Sequence, residues 1–435
     1  MKRKVTVLAA VLALAAASCG DDDDDESTAT EPATEEAPAE SEAPAESEAP
    51  ATTEAATGEA PSGTAVDIDA ALAADLDSCA PAPTGDPIKV GMAMDFGEVS
   101  GFADIPGSEA TQHMAELINC IGGVNGSPVD VQVADIQGDP DVTARATQEL
   151  VDGGAHFLIG PPFADFGQPV LQVTEGKVPV FFAASTEPSL PDVAANSFLV
   201  TFDDTKQATA AAEWALSEGY TKAITFSSPG PYFGYNPEVF TEVFTAGGGE
   251  IVTDQSYTPV EDVDFSAQVN EIASLADGSE VLYSAMLAHQ LTALRGQLEA
   301  QGLTDIQYVS SDAFEATGGL AQEDIEGVVH TTHAYAEPGG RIEQLVGSYQ
   351  AANASPLDSP TFAGLYADSM LIGIQAMIDC GCTDPEQIGA AIASITDFNG
   401  FTGPMGYAGT NGIPDKPVSI HRVVDGVDTL LVNWE

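Results

Sequence analysis

Basic residues are scarce in this chain. It has 12 Lys and Arg against 68 Asp and Glu, for a formal net charge of -56 at pH 7, and Lys2, Arg3 and Lys4 are three of the twelve. Nucleic-acid binding needs cations that neutralise phosphates, so the composition argues against a nucleic-acid partner. Two interpretations of the acidity stay open: a solvated surface suited to a saline habitat, and a docking face for a cationic partner.

The sequence also lacks the common catalytic motifs. It has no G-x-S-x-G elbow, and Gly176-Lys177 is followed by Val178, so it has no phosphate-binding loop. His330 and His333 would lie on one strand, where their spacing puts them on opposite faces. The other four histidines show no ligand spacing: His113, His156, His289 and His421. We therefore predict a protein that is not an enzyme and holds neither metal nor cofactor.

The first 19 residues are predicted to be a targeting segment. Lys2, Arg3 and Lys4 precede an apolar run over 5–17 that is too short to span a membrane permanently. The end of the segment, Ala16-Ala17-Ser18-Cys19, resembles the lipobox of bacterial lipoproteins. In such proteins the Cys carries the lipid, which implies an extracytoplasmic protein anchored to the membrane at Cys19. The alternative is ordinary secretion with an incidental cysteine.

Residues 20–85 are predicted to be a disordered tether. They contain 19 acids and no Lys or Arg, and 36–51 repeat the motif SEAPAE every six residues. Such a composition cannot bury a core. A short helix within 66–76 is expected to lead into the globular part, which starts at Pro87.

From Pro87 onwards, strand patterns alternate with helix patterns, which predicts an α/β fold with parallel sheets. The predicted strands include 88–94, 222–227 and 250–256, and the predicted helices include 108–118, with Ser108 as its cap, 237–245 and 288–300. The alternation starts afresh after Phe202, so we predict two doubly wound lobes. We expect lobe I to comprise 86–203 and 331–405, and lobe II to comprise 204–330 and 406–435, with 327–335 crossing back to lobe I. The segments 418–424 and 428–434 are expected to form a hairpin around Asp425-Gly426.

The ligand site is predicted in the segment 157–190. It reads as a buried strand, a Gly/Pro loop, a helix, a second buried strand and a second loop at 184–188. Two apolar strands joined by one helix form a βαβ unit and therefore a parallel sheet. Both loops then open at the same sheet edge, where ligands bind.

Several of these segments carry a family resemblance. They are IKVGMAM at 88–94, VSGFA at 99–103, AELINCIGGVNGSPVDV at 115–131, Asp135 with Asp139-Pro140, FLIGP at 157–161 and AASTEPSL at 183–190. In this order the chain resembles the type I solute-binding proteins of ABC importers, above all the branched-chain amino-acid and amide binding family. The resemblance implies two lobes joined by three crossovers, closing on a small polar solute that is handed to a permease. A sensory or adhesive lipoprotein with the same fold is the alternative.

The resemblance also implies site residues. In the family, main-chain N–H groups and hydroxyls on the two loops hold the ligand carboxylate; the matching positions are Ala164, Asp165, Ala184, Ser185 and Thr186. An aromatic from the facing lobe matches Tyr232 or Tyr235, the carboxylate that binds the ligand ammonium matches Asp312, and Tyr283 and Phe362 could line the side-chain pocket. Helix capping for Ser185, Thr186 and Asp312, and plain packing for the aromatics, are the alternatives.

The four remaining cysteines are predicted to form two disulfides in an oxidising compartment. They are Cys79, Cys120, Cys380 and Cys382, which allow three pairings. Because a bridge between Cys380 and Cys382 would be strained, we expect each to pair with Cys79 or Cys120 at the base of lobe I. A metal site is the competing interpretation of C-x-C, although a second such motif is missing.

Overall fold

A computed structural model describes residues 65–97 and 99–435. The predicted leader, the lipidation site at Cys19 and most of the tether lie outside the described residues. The expected lead-in helix is present as a five-residue helix at Ile68–Leu72.

The strands form two large sheets and one small one. In chain order they are β1 Ile88–Met94, β2 Val129–Asp135, β3 Phe157–Gly160, β4 Val180–Phe182, β5 Ser197–Leu199, β6 Lys222–Ser227, β7 Glu250–Ser256, β8 Val281–Ser284, β9 Gln307–Ser310, β10 Val329–Thr332, β11 Phe398–Asn399, β12 Pro404–Met405, β13 Val418–Val424 and β14 Val427–Trp434. Sheet 1 has the order β2-β1-β3-β4-β5 and is parallel throughout. The predicted βαβ unit is its β3–β4 pair.

Sheet 2 repeats that order and extends it. Its strands run β7-β6-β8-β9-β10-β13-β14, with β6 to β10 parallel and the last two strands antiparallel. The C-terminal hairpin is present as predicted, formed by β13 and β14. Asp425 and Gly426 both adopt positive φ, of 54° and 72°, as a tight two-residue turn requires. The segment 327–335 departs from expectation: it first adds β10 to sheet 2 before the chain crosses back.

The helices cover the faces of both sheets. They are α1 Ile68–Leu72, α2 Gly101–Cys120, α3 Pro140–Asp152, α4 Ala164–Thr174, α5 Leu190–Val193, α6 Asp204–Ser217, α7 Pro231–Ala246, α8 Ser266–Leu275, α9 Ala288–Ala300, α10 Ala313–Ala316, α11 Arg341–Asn353, α12 Pro360–Cys380 and α13 Pro385–Ile392. Helix α12 is long and apolar enough to cross a membrane by length and composition, but 94% of that stretch is buried. It is therefore the core helix of lobe I, packed against α2.

The chain passes between the sheets three times, after β5, after β10 and before β13. Buried polar contacts hold the third of these crossovers in place. The carboxylate of Asp368 on α12 accepts the N–H groups of Phe401 and Thr402 at 2.7 and 2.9 Å. Lys416, which is fully buried, donates to the Thr402 hydroxyl at 2.5 Å. Burial lowers the pKa of Lys416 to about 8, against the opposing charge of Asp368. The third crossover is thus attached to lobe I by buried hydrogen bonds.

The cysteine pairing differs from the prediction. Cys79 is bonded to Cys120, with Cα atoms 4.5 Å apart, and Cys380 is bonded to Cys382, with Cα atoms 5.2 Å apart. The N–H of Ala80 donates to the Cys120 carbonyl at 2.8 Å and holds the first pair of segments together. At the second pair, Gly381 has a φ of 58° and turns the chain so that its two neighbours meet. The expected cross-pairing between these two sets is therefore wrong.

Candidate ligand-binding site

Two loops at the carboxyl ends of neighbouring strands of sheet 1 carry the first set of predicted residues. Ala164 and Asp165 open helix α4 after β3; Ala164 is half-buried and Asp165 is exposed. Ala184, Ser185 and Thr186 follow β4 and are all buried. Both loops therefore lie at one edge of the sheet, as the parallel arrangement requires.

Asp312 and Tyr232 meet at the corresponding edge of sheet 2. The Tyr232 hydroxyl donates to Oδ1 of Asp312 at 2.5 Å and lies 2.7 Å from the Ser311 hydroxyl. The N–H of Ala313 donates back to the Tyr232 oxygen at 3.1 Å. Tyr232 was expected on a loop, but α7 begins earlier than predicted, at Pro231, so the side chain is held by the first turn of a helix.

His333 is a second neighbour of Asp312 that the sequence did not indicate. It follows β10 and is 2% exposed, and its Nε2 lies 3.3 Å from Oδ2 of Asp312. This distance fits an ion pair, but neither ring nitrogen makes an aligned hydrogen bond. The ring stacks on Phe202 with centroids 4.8 Å apart and lies against Phe362 at 5.9 Å. His333 is thus an unsatisfied polar group packed between two aromatic rings.

These neighbours keep Asp312 ionised. Burial alone would raise its pKa, but the adjacent imidazole of His333, together with hydrogen bonds from Tyr232 and Gln207, holds the pKa below its usual value. A buried carboxylate that stays charged is a strong partner for a ligand cation.

Asp204 is a second buried carboxylate at the site. It is 1% exposed at the first position of α6, where Gln207 Nε2 donates to its Oδ1 at 2.7 Å. Burial, followed by the nearby charge of Asp312, raises the pKa of Asp204 well above its ordinary value. Its N–H donates to the Thr186 carbonyl at 2.9 Å. Asp204 therefore joins the Thr186 loop of lobe I to the surroundings of Asp312 in lobe II.

The remaining predicted residues lie apart from this carboxylate pair or deeper in the protein. The Tyr235 hydroxyl is 3.0 Å from that of Thr205 at the start of α6. Tyr283 is fully buried and stacks on Phe240 with centroids 4.2 Å apart, as a core residue does. Phe362 is 5% exposed, and its ring lies 5.9 Å from the ring of His333. Ligand contact by these three side chains stays a prediction.

Two like-built lobes with polar loops on facing edges are the architecture of a binding protein that closes on a solute. A family model described as "Periplasmic binding protein" matches residues 87–428. The chain belongs to the periplasmic binding protein family. Membership confirms the predicted resemblance, and it places the protein among solute-binding proteins rather than enzymes.

Relatives of this periplasmic binding protein carry related descriptions. The "Leu/Ile/Val-binding protein BraC3" of Rhizobium johnstonii is 27% identical over 273 residues, covering 55% of this chain and 73% of the relative. Two solved structures share the fold. One is the branched-chain amino acid binding protein LivJ of Streptococcus pneumoniae in complex with isoleucine (TM-score 0.66, 18% identity, 80% of this chain and 99% of that one). The other is a solute-binding protein of an ABC transporter from R. palustris in complex with benzoate (TM-score 0.64, 19% identity, 80% and 96%).

The lobes of this periplasmic binding protein also touch across the cleft. Glu315, on α10 of lobe II, accepts hydrogen bonds from Thr332 in its own lobe and, at 2.7 Å, from Thr361 at the start of α12 in lobe I. Phe362 follows Thr361 and reaches His333. The start of α12 is therefore a point at which lobe I closes directly onto lobe II.

Proposed function

We propose that this protein captures a small solute with a protonated amine, a branched-chain amino acid or a related amide, and delivers it to an ABC permease. The proposal is supported above all by the position of two acidic side chains, Asp204 and Asp312, where the two lobes meet. Asp204 contacts the Thr186 loop, and it lies close enough to Asp312 for the two charges to interact. A cationic group between the lobes would pair with the buried, ionised carboxylate of Asp312.

The charge balance favours an amine over a simple anion. In the part of the chain that the structure describes, neither Asp204 nor Asp312 forms an ion pair with Lys or Arg. A ligand such as the benzoate of the R. palustris structure would bring a negative charge close to the ionised Asp312. An amino acid would instead place its ammonium at Asp312 and its carboxylate near the hydroxyls and N–H groups after β4.

Hinge closure would be the mechanism. A ligand that contacts both Thr186 and Asp312 binds the closed form more strongly than the open form, and so shifts the equilibrium towards closure. The Glu315–Thr361 contact would form in the same step. The closed form is then the state that a permease would engage.

A thermal-shift panel tests the ligand class. We expect branched-chain amino acids or their amides to raise the melting temperature, since saturation at 100 times Kd adds about 2.7 kcal/mol. Benzoate and neutral sugars should give no shift. A shift with benzoate alone would contradict the amine assignment, and no shift with any compound would favour the sensory or adhesive lipoprotein.

The lipid anchor is a separate part of the proposal. Cys19 ends a segment that resembles a lipobox, and the acidic tether that follows would keep the binding domain near the membrane. Cys19→Ser should move the protein from the membrane fraction into the medium. A variant that stays with the membrane would refute the anchor while leaving the ligand proposal untouched.

A further inference from the structure

A cluster of three side chains lies in sheet 2, outside the residues assigned to the ligand. His330 on β10 and His421 on β13 are directly opposite one another in the antiparallel ladder. Asp428, on β14, accepts a 2.9 Å hydrogen bond from Nε2 of His330 at one carboxylate oxygen. Its other oxygen lies 2.5 Å from Nδ1 of His421. One carboxylate thus bridges two imidazoles on three adjacent strands.

The cluster has the burial and the composition of a metal site. His330 is fully buried and His421 is 1% exposed, while the Asp428 side chain is 19% exposed. Each residue offers one ligand atom, and the three atoms lie within 4.8 Å of one another. Contrary to the sequence-based expectation of no metal, we propose that His330, His421 and Asp428 bind a divalent transition-metal ion, with Zn²⁺ as the best match. Two imidazoles and one carboxylate form a common three-ligand set for such ions.

The geometry needs little adjustment to admit the ion. Zn²⁺ lies about 2.0–2.2 Å from imidazole nitrogen and carboxylate oxygen, so its ligand atoms end up roughly 3.3 Å apart in a tetrahedral site. The present N–O separations of 2.9 and 2.5 Å would widen by less than about 1 Å as the ion takes the place of the bridging protons, and the two imidazole nitrogens, which lie within 4.8 Å, would approach by at most about 1.5 Å. The partial exposure of Asp428 gives solvent access to the cluster from that side.

Two further observations describe how the two imidazoles are held. Nε2 of His421 is buried and has no hydrogen-bond partner, so the ring can act only through Nδ1, which faces Asp428. The ring of Tyr335 stands edge-on to His421 with centroids 5.4 Å apart, and the ring of Phe314 packs against His330 at 5.1 Å. These contacts restrict the rotation of both imidazole rings.

The site is distinct from the cleft but close to it in the chain. His330 and His333 are three residues apart around the end of β10, where alternation sends their side chains in different directions. His333 faces Asp312, whereas His330 faces the hairpin. A bound ion would therefore join the C-terminal hairpin to β10, the strand that leads into a crossover.

Titration of the untagged, EDTA-treated protein with ZnCl₂ in a calorimeter tests the proposal, since a histidine tag would itself bind the ion. We expect one Zn²⁺ per chain, a rise in melting temperature, and a visible d–d absorption band when Co²⁺ replaces Zn²⁺. H330Q, H421Q and D428N should each weaken binding by at least about 10- to 100-fold, which is the loss that even outer-shell substitutions cause.

Matched controls separate this site from adventitious binding to the acidic surface. H289Q removes an exposed histidine from the same lobe and should bind Zn²⁺ like the wild type. A tenfold excess of Mg²⁺ should compete with surface acids but not with two imidazoles. The proposal is overturned if wild-type protein binds no stoichiometric Zn²⁺, or if H330Q and H421Q, shown to be folded by circular dichroism, bind it with unchanged affinity.

Discussion

The hydroxyl of Tyr232 donates to Oδ1 of Asp312 over 2.5 Å, so that an aromatic from α7 positions the carboxylate after β9. We predict that Asp312→Asn weakens binding of an amine ligand by roughly 10- to 100-fold. The reason is that a hydrogen bond to a charged group contributes about 1.5–3 kcal/mol. Isothermal titration with the compound that gives the largest thermal shift measures the effect.

Two variants make this experiment specific. Tyr232→Phe keeps the ring and leaves Asp312 charged, so its loss of affinity should be smaller than that of Asp312→Asn. Asp305→Asn removes an exposed acid from the same lobe and should have no effect. Wild-type affinity in Asp312→Asn would remove this carboxylate from the site.

Lys416 and Asp368, both buried and both hydrogen-bonded to the Thr402 hydroxyl, predict a large stability effect at a crossover. Lys416→Met would leave Asp368 buried without a compensating charge, which typically costs about 3–5 kcal/mol. The double variant with Asp368→Asn should lose less than the sum of the single variants, because each single change leaves an unpaired group. Urea unfolding of all four proteins measures this coupling, and strict additivity would show that the pair does not interact.

The two cysteine pairs predict unequal losses of stability. Cys79 and Cys120 are 41 residues apart in sequence, whereas Cys380 and Cys382 are two apart. In the loop-entropy account, removing the first bridge costs about 4 kcal/mol and removing the second about 1.5 kcal/mol. Double Ser variants of each pair, unfolded in urea without reductant, provide the comparison. A non-reduced peptide that joins Cys79 to Cys380 or Cys382 would contradict the pairing.

Asp104 predicts a pH dependence. It is fully buried on α2, and burial raises its pKa to about 7 despite hydrogen bonds from Tyr366, the Asp95 N–H and Ser100. The folded state therefore keeps a proton that the unfolded chain, with a pKa of 3.8, releases. The stability that this group contributes is fully present below about pH 4 and is lost as the pH rises to about 7, at up to about 1.4 kcal/mol per unit.

The difference between wild type and Asp104→Asn isolates this group. Relative to wild type, the variant should gain stability between pH 4 and 7, and the difference should be constant above pH 7. Asp141→Asn, at an exposed site on α3, serves as the control and should run parallel to wild type. Urea unfolding at one-unit intervals of pH gives the profile, and a constant offset for Asp104→Asn would contradict the prediction.

Local pattern predicted much of this fold. The bounds of β1, β6, β7 and α9 agree with the sequence interpretation residue for residue, because apolar runs and turn residues bracket each of them. Helix α2 is different: it starts at Gly101 rather than at the apparent cap Ser108 and continues past Pro106. In its first turn, the Asp104 carboxylate accepts a hydrogen bond from the hydroxyl of Tyr366, 262 residues further along the chain. Such a contact has no local signal.

The candidate site was predicted in part for the same reason. Asp312 and Tyr232 follow strands, and their positions match a family pattern, so sequence could indicate them. Asp204 could not be singled out from sequence, because the adjacent Asp203 caps α6 by accepting the N–H of Lys206, and two acids at a helix start are ordinary. His333 gave no signal, because its partners Phe202, Asp312 and Phe362 come from three distant segments.

Arg341 on α11 holds the Asp69 carboxylate through two nitrogens, at 2.8 and 3.1 Å, while its third nitrogen donates to the Asn399 carbonyl at 2.7 Å. Helix α1 is in this way fastened to lobe I beside a crossover. Whatever precedes residue 65 is accordingly attached to one half of the molecule. If the cleft opens and shuts, helix α1 and the chain that leads into it would move with lobe I.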